Sequence, residues 1–176
     1  MKRDISLWSF GGFVFSSLGG TVLHFLYDWT NEWVLVAPFS GVNESTWEHM
    51  KLLYFPMLVF AFIQRQFFED TKNFWCVKLC SFTAGLVLIP VLFYTMNGII
   101  GKTSDWLNIL IFFISAAAAF LLEYRLFKKN TLKCKKTSVA LAVILFLGIL
   151  FVLFTFFPPN ISLFQDPLTG TYGKRG

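Results

Sequence analysis

The chain is poor in charge and in the residues that most catalysis uses. Charged residues make up 14% of its 176 positions, and it has two histidines and three cysteines. No phosphate-cradling glycine loop, nucleophile motif, or haem or dinucleotide signature is present, which removes the nucleotide-binding and covalent-catalysis classes that such motifs mark. The cysteines follow no metal-type spacing. Cys76 and Cys80 lie four apart at the start of an apolar run and Cys134 lies in a basic stretch, so they read as small apolar fillers and a free thiol. The net charge of +5 is not a nucleic-acid footprint, because the basic residues collect in one loop, as a topology signal would. No nucleic-acid partner is expected.

What the chain has is apolar surface. It is 56% hydrophobic with 23 Phe, and its mean hydropathy is +0.62. A soluble domain of this length has no interior large enough to hide so much apolar area. A helical membrane protein can turn it to lipid. The reading is an all-α integral membrane bundle, one domain over 1–176. Five transmembrane helices are expected near 7–27, 45–64, 74–96, 106–124 and 138–157, each close to the roughly 20 residues that cross a bilayer. The first run is too long for a cleavable signal and lacks a small-residue cleavage site, so it should remain as a span. Its glycine pairs, Gly11-Gly12 and Gly19-Gly20, would let a neighbouring helix approach closely. Pro56 and Pro90 fall inside the second and third spans, where each would kink the helix or free a carbonyl.

Lysine and arginine set the expected orientation. With a cytoplasmic N-terminus, Lys2, Arg3, Arg65, Lys72, Lys78, Arg125, Lys128, Lys129, Lys133, Lys135 and Lys136 fall inside. Lys51, Lys102, Lys174 and Arg175 fall outside. That asymmetry satisfies the positive-inside rule, in a multi-pass membrane protein with its C-terminus outside. Trp29, Trp33, Trp47 and Trp106 then mark the outer boundary, and Trp8 and Trp75 the inner one.

One decapeptide is out of keeping with the rest: Val42-Asn43-Glu44-Ser45-Thr46-Trp47-Glu48-His49-Met50-Lys51. Ser45 and Glu48 form the S-x-x-E pattern of a capping box, which starts the second helix there. The 12 apolar residues from Leu52 to Ile63 give about 18 Å of helix, too short for a span. Starting at Ser45 corrects the length and draws Glu48, His49 and Lys51 into the outer leaflet. On the first helix His24 and Asp28 lie four apart and share a face. Both histidines thus reach similar depth on the same side. Two imidazoles and a carboxylate with an open position form a catalytic zinc pattern. The candidate ligands are His24, His49 and Asp28, with Glu48 or Glu44 as the general base to a metal-bound water. Lys51, Asn43, Trp47, Asp166 and Tyr172 are expected around the pocket. A plainer reading stays open, in which Glu48 caps the helix and pairs with Lys51 while His24 only pins the first helix to the second.

Two further segments belong to that face. The apolar connection at 33–42 is broken by Pro38 and Gly41 and reads as a re-entrant or headgroup-resting piece. The tail at 158–173 carries Asp-Pro and Thr-Gly turn chemistry with Phe164, Leu168 and Tyr172, and reads as an ordered flap.

The run VNESTWEHMKLLYFP at 42–56, Leu23-His24-Phe25 and the DPLTGTYG tail together resemble a family of small bacterial integral membrane proteins of unknown function. The resemblance extends from the first span to the tail. It implies a polytopic inner-membrane protein and brings no activity. Membrane zinc hydrolases of the ceramidase type are similar only in keeping polar ligands near one membrane face. Three functions stay open: a zinc-dependent hydrolase acting on a lipid or lipid-linked substrate, a component that binds or transports a small polar solute, and an accessory subunit whose polar cluster is structural. The lipid bilayer is the expected partner, and a transport role would need a homo-oligomer.

Overall fold

The computed structural model describes residues 4–69, 71–101, 104–130 and 132–174, without the side chain of residue 105. Of the basic residues that set the expected orientation, Lys2, Arg3, Lys102 and Arg175 lie outside the described residues. Five helices run through the rest: α1 (Ile5–Trp29), α2 (Thr46–Phe67), α3 (Phe74–Ile100), α4 (Asp105–Lys129) and α5 (Thr137–Phe156). A single 3-10 turn, Ser162–Phe164, follows in the tail. Four of the helices, α1, α3, α4 and α5, are long and apolar enough to cross a membrane.

The exception, α2, is the centre of the bundle. It packs against all four other helices and the 3-10 turn. Its polar residues Glu48, Lys51 and Gln64 are buried together with Leu53, Tyr54, Met57 and Ala61. A helix face packed against its neighbours can carry polar residues. The second half of α2 is exposed at Val59, Phe62, Ile63 and Phe67, and the other helices expose Leu18, Val87, Ile114, Phe146 and Ile149.

Small residues set the close contacts. At Gly12 a Cβ would collide with the rings of Phe60 and Phe120, so this one glycine lets α1 lie on α2 and α4 together. The Tyr54 hydroxyl donates to the Ile144 carbonyl at 2.7 Å and ties α2 to α5. Pro56 and Pro90 sit inside unbroken helices. Ser45 caps α2 as expected, its hydroxyl accepting from the Glu48 N–H at 3.3 Å. The reciprocal half of the capping box is absent: the Ser45 N–H donates to Asn43 Oδ1 at 2.8 Å instead.

Two buried ion pairs stand at opposite ends of the bundle. Near the start of α2, the Lys51 ammonium pairs with Glu48 and donates to the Ala37 carbonyl and the Thr155 hydroxyl, each at 2.9 Å. Three partners satisfy all three ammonium protons. Toward the other end, Lys78 pairs with Glu123 at 2.7 Å. The Phe60, Phe74 and Phe120 rings surround that ammonium, with centroids 5.5–5.8 Å away. Lys78 was expected as an inner-side charge, and Lys51 as a group drawn in beside the pocket or paired with Glu48. Both are core residues, and Lys51 makes the Glu48 pair, as intramembrane charges with partners tend to.

Several other expectations change. Trp47 and Trp75 are buried rather than placed at a membrane boundary. Trp47 packs on Phe151, Phe154 and Phe164. Cys76 and Cys134, expected as filler and free thiol, form a disulfide with Cα atoms 6.2 Å apart, while Cys80 is free. The bridge fastens the start of α3 to the α4–α5 connection. Arg125, Lys128, Lys129, Lys133, Lys135 and Lys136 are exposed at that same end, called here the basic end. The opposite end holds the starts of α2 and α4.

Candidate functional site

His24 lies near the C-terminal end of α1, His49 in the first turn of α2, and Glu44 just before the Ser45 cap. Their meeting depends on the connection folding back. Asn31 and Glu32 adopt positive φ of 52° and 59° and reverse the chain, a conformation asparagine tolerates better than most residues. Ser40, fully buried, then docks on α1. Its hydroxyl donates to the Leu23 carbonyl and accepts from the Tyr27 N–H, the two groups that a helix would pair directly. The Gly41 N–H also donates to the Leu23 carbonyl, at 3.2 Å. The 33–42 connection is thus pinned to the helical turn that carries His24, and Glu44 is delivered over it. Trp33, Val34, Leu35 and Phe39 stay exposed on its outer side.

The result is a compact donor set. One Glu44 oxygen lies 3.7 Å from His24 Nε2 and the other lies 3.6 Å from His49 Nε2. One donor atom from each of the three residues lies within 4.8 Å of the others. The imidazole rings meet edge-on with centroids 5.7 Å apart. His49 Nδ1 lies 3.0 Å from the Ser45 carbonyl oxygen. A carbonyl only accepts, so Nδ1 carries the hydrogen and neutral His49 points the lone pair of Nε2 at Glu44. Fixing the tautomer through the remote ring nitrogen is how proteins orient metal-binding histidines. Donors about 2.0–2.1 Å from a tetrahedral ion stand roughly 3.3 Å apart, so the three donors, within 4.8 Å of one another, would have to draw together to hold one. Two imidazoles and one carboxylate suit a divalent transition ion such as zinc or iron(II).

The remaining expected site residues fall into separate roles. Asp28, expected as the third ligand, is exposed and outside the donor set, and Glu44 takes that position. The carboxylate of Glu48, expected as general base, is occupied by Lys51 and by the Val42 N–H at 3.1 Å. Lys51 is spent in the same network and Trp47 in the core, so neither reaches the donors. Asn43 is a clamp: besides holding the Ser45 N–H, it donates from Nδ2 to the Gly173 carbonyl at 2.9 Å.

That clamp positions the tail. Asp166 is fully buried and accepts from the Leu168 and Thr169 N–H groups at 2.7 and 3.4 Å, the turn its Asp-Pro sequence implies. Its carboxylate is near enough for its charge to act on the His49 ring. Tyr172 bridges back to Gln165, away from the donors. Gly173 has φ +64°, and a Cβ there would lie 2.9 Å from Pro158, so only glycine fits. Asn43→Ala should cost about 1–3 kcal/mol by leaving buried groups unpaired. It should also free the tail, read as faster proteolysis beyond Pro158–Pro159 with the bundle intact.

Beside the donors opens a cavity of about 560 Å³. His24, Glu44 and His49 form its polar end, with Asn97 and Asn108 contributing from α3 and α4. Leu52, Phe93, Phe112 and Phe113 make it apolar below, and Pro167 and Leu168 of the tail reach its edge. Asn97 and Asn108 were missed from sequence. The only signal was their place near the short polar connection between the third and fourth helices.

The chain belongs to a family of unknown function (DUF6512), whose model matches residues 2–174. No curated protein matches it, and no solved structure does.

Proposed function

We propose that this member of the family is a membrane-embedded zinc-dependent hydrolase acting on a lipid or lipid-linked substrate. The carrying observation is the convergence of His24, Glu44 and His49 at the polar end of an apolar cavity. Three protein ligands with a fourth position for water is the usual catalytic arrangement of zinc. The ion brings the acidity of its bound water down to about neutral pH, so a nucleophile arises without a separate strong base. Glu44 is therefore assigned as a ligand and Glu48 as a structural residue. His24, Glu44 and His49 would hold the ion at the polar end of the cavity, where it would supply an activated water to hydrolyse an acyl or phosphoryl bond.

The same reading makes α2 a fifth span, sheltered by the other four. It places the basic end in the cytoplasm of a bacterial inner membrane and the donor set in the outer leaflet, as the exposed lysines and arginines of that end favour. Elemental analysis of protein purified without chelator tests the metal: about one zinc per chain is expected. Cleavage of a fatty-acyl ester presented in vesicles should stop when the zinc is stripped and return when it is restored. Protein free of metal at neutral pH with both histidines intact overturns the reading. The cluster would then be a tether between α1 and α2.

A further inference from the structure

The walls of the cavity bear on what kind of substrate reaches the donors and by which route. It lies where α1 and α4 part toward the His24 end. Its α1 wall is formed by Gly20, Thr21 and Phe25, and its α4 wall by Ile109, Phe112 and Phe113. Thr21, Phe25, Ile109 and Phe113 are exposed, Ile109 by 58%. These two helices are among the four apolar enough to cross a membrane, so what they expose at this level faces acyl chains. The opening is therefore lateral, toward lipid.

We infer that the site takes an acyl amphiphile directly from the bilayer, between α1 and α4, and grips only the part of its chain nearest the head. This deepens the hydrolase reading and rests on it. The cavity is shallow. From His24 to Gly20 is one helical turn, about 6 Å, and from Asn108 to Phe113 about 8 Å, at 1.5 Å per residue. Phe112 closes the floor, its ring lying where a Cβ on Gly20 would be. An extended long acyl chain outruns that depth, and its distal part stays among the lipids.

The energetics agree with this geometry. Moving methylenes from lipid into an apolar cavity gains little, because lipid tails are as apolar as leucine side chains. The chain delivers the substrate to the right depth by partitioning. Discrimination is left to the polar end, where the zinc, Asn97 and Asn108 meet the head and the bond to be cleaved. Chain length beyond the gripped segment should therefore matter little.

The test uses zinc-loaded protein in vesicles of phosphatidylethanolamine and phosphatidylglycerol, with palmitic acid as probe. Its carboxylate stands in for the product at the zinc. Two forms carry a photoreactive diazirine, one beside the carboxylate and one near the chain end. The head-proximal probe should label the peptides containing Phe93 and Phe112–Phe113 at least tenfold more than the chain-end probe does. Ile109→Trp, and separately Thr21→Trp on the facing wall, should reduce that labelling about tenfold with zinc content unchanged. Both positions are exposed, so folding tolerates the added bulk. Equal labelling by the two probes, or labelling indifferent to both tryptophans, overturns the inference while the zinc reading survives. Portal-sensitive labelling of protein that binds no zinc upholds the chain site and removes the hydrolase.

Discussion

Alanine at His49 should lower zinc affinity at least about a hundredfold and leave the bundle folded. Loss of a single outer-shell partner already costs metal sites roughly 10–100-fold, and His49 supplies one of only three protein donors. His24→Ala and Glu44→Gln should act alike, because each Glu44 oxygen faces a different imidazole. Folding should persist because the side chains of His24 and Glu44 are 35% and 38% exposed. The connection is held independently by Ser40, Gly41 and Asn43. The informative contrast is Asp28→Ala. It shares a helical face with His24 but lies outside the donor set, so zinc affinity should not change. Competition against a chromophoric chelator measures the whole series. An Asp28→Ala effect as large as that of Glu44→Gln would relocate the third ligand.

Replacing Lys51 by methionine should have the largest effect on stability, a loss of about 3–5 kcal/mol. Removing one partner of a buried ion pair leaves the other charge unpaired at the cost of its desolvation. Here the stranded group is Glu48, 2% exposed. The ammonium is also the only link joining the 33–42 connection, α2 and α5 at one atom, through Ala37, Glu48 and Thr155. The double variant Glu48→Met/Lys51→Met should recover part of the loss, since no charge remains. Recovery should be incomplete, because the Val42 N–H and the Ala37 carbonyl lose their partners at about 1–3 kcal/mol each. Denaturant titration in detergent micelles resolves the order: wild type, then the double variant, then Lys51→Met. A double variant less stable than the single would mean that the pair contributes through its hydrogen bonds rather than by cancelling charge.

The helices were legible because lipid imposes a length and a polarity on each. All five expected starts fall within two residues of the observed ones, and Ser45 announced α2 by its own capping chemistry. The ends were less legible. α4 runs on to Lys129 past its apolar stretch, since basic residues in a last turn suit the helix dipole. The two histidines were expected together because they were scarce and met at one depth, and their rings lie 5.7 Å apart. The carboxylate between them was not foreseen as Glu44 alone, because helical spacing sees only within α1. Glu44 arrives from outside the helix, after a reversal at Asn31 and Glu32 whose positive φ leaves no periodic trace. Lys78 was counted among the inner-side charges for a similar reason. Its pairing with Glu123 crosses from α3 to α4, and alone it looks like the boundary of its own span. The Cys76–Cys134 link likewise joins residues 58 apart, beyond any local pattern.

The central place of α2 has a consequence for how the chain enters a membrane. A carboxylate or an ammonium costs about 2.5–3.5 kcal/mol when a lone helix carries it into hydrocarbon, and α2 brings Glu48, Lys51 and Gln64. Released by itself from the insertion machinery, it would slip back toward water. Two of its hydrogen-bond partners, the Thr155 hydroxyl to Lys51 and the Ile144 carbonyl to Tyr54, lie on α5, the last of the five helices to be synthesised. With α2 as a fifth span, the growing chain would have to hold it against α1 and α3 until α5 emerges, and a chain stopped before α5 would leave Lys51 and Tyr54 without those partners.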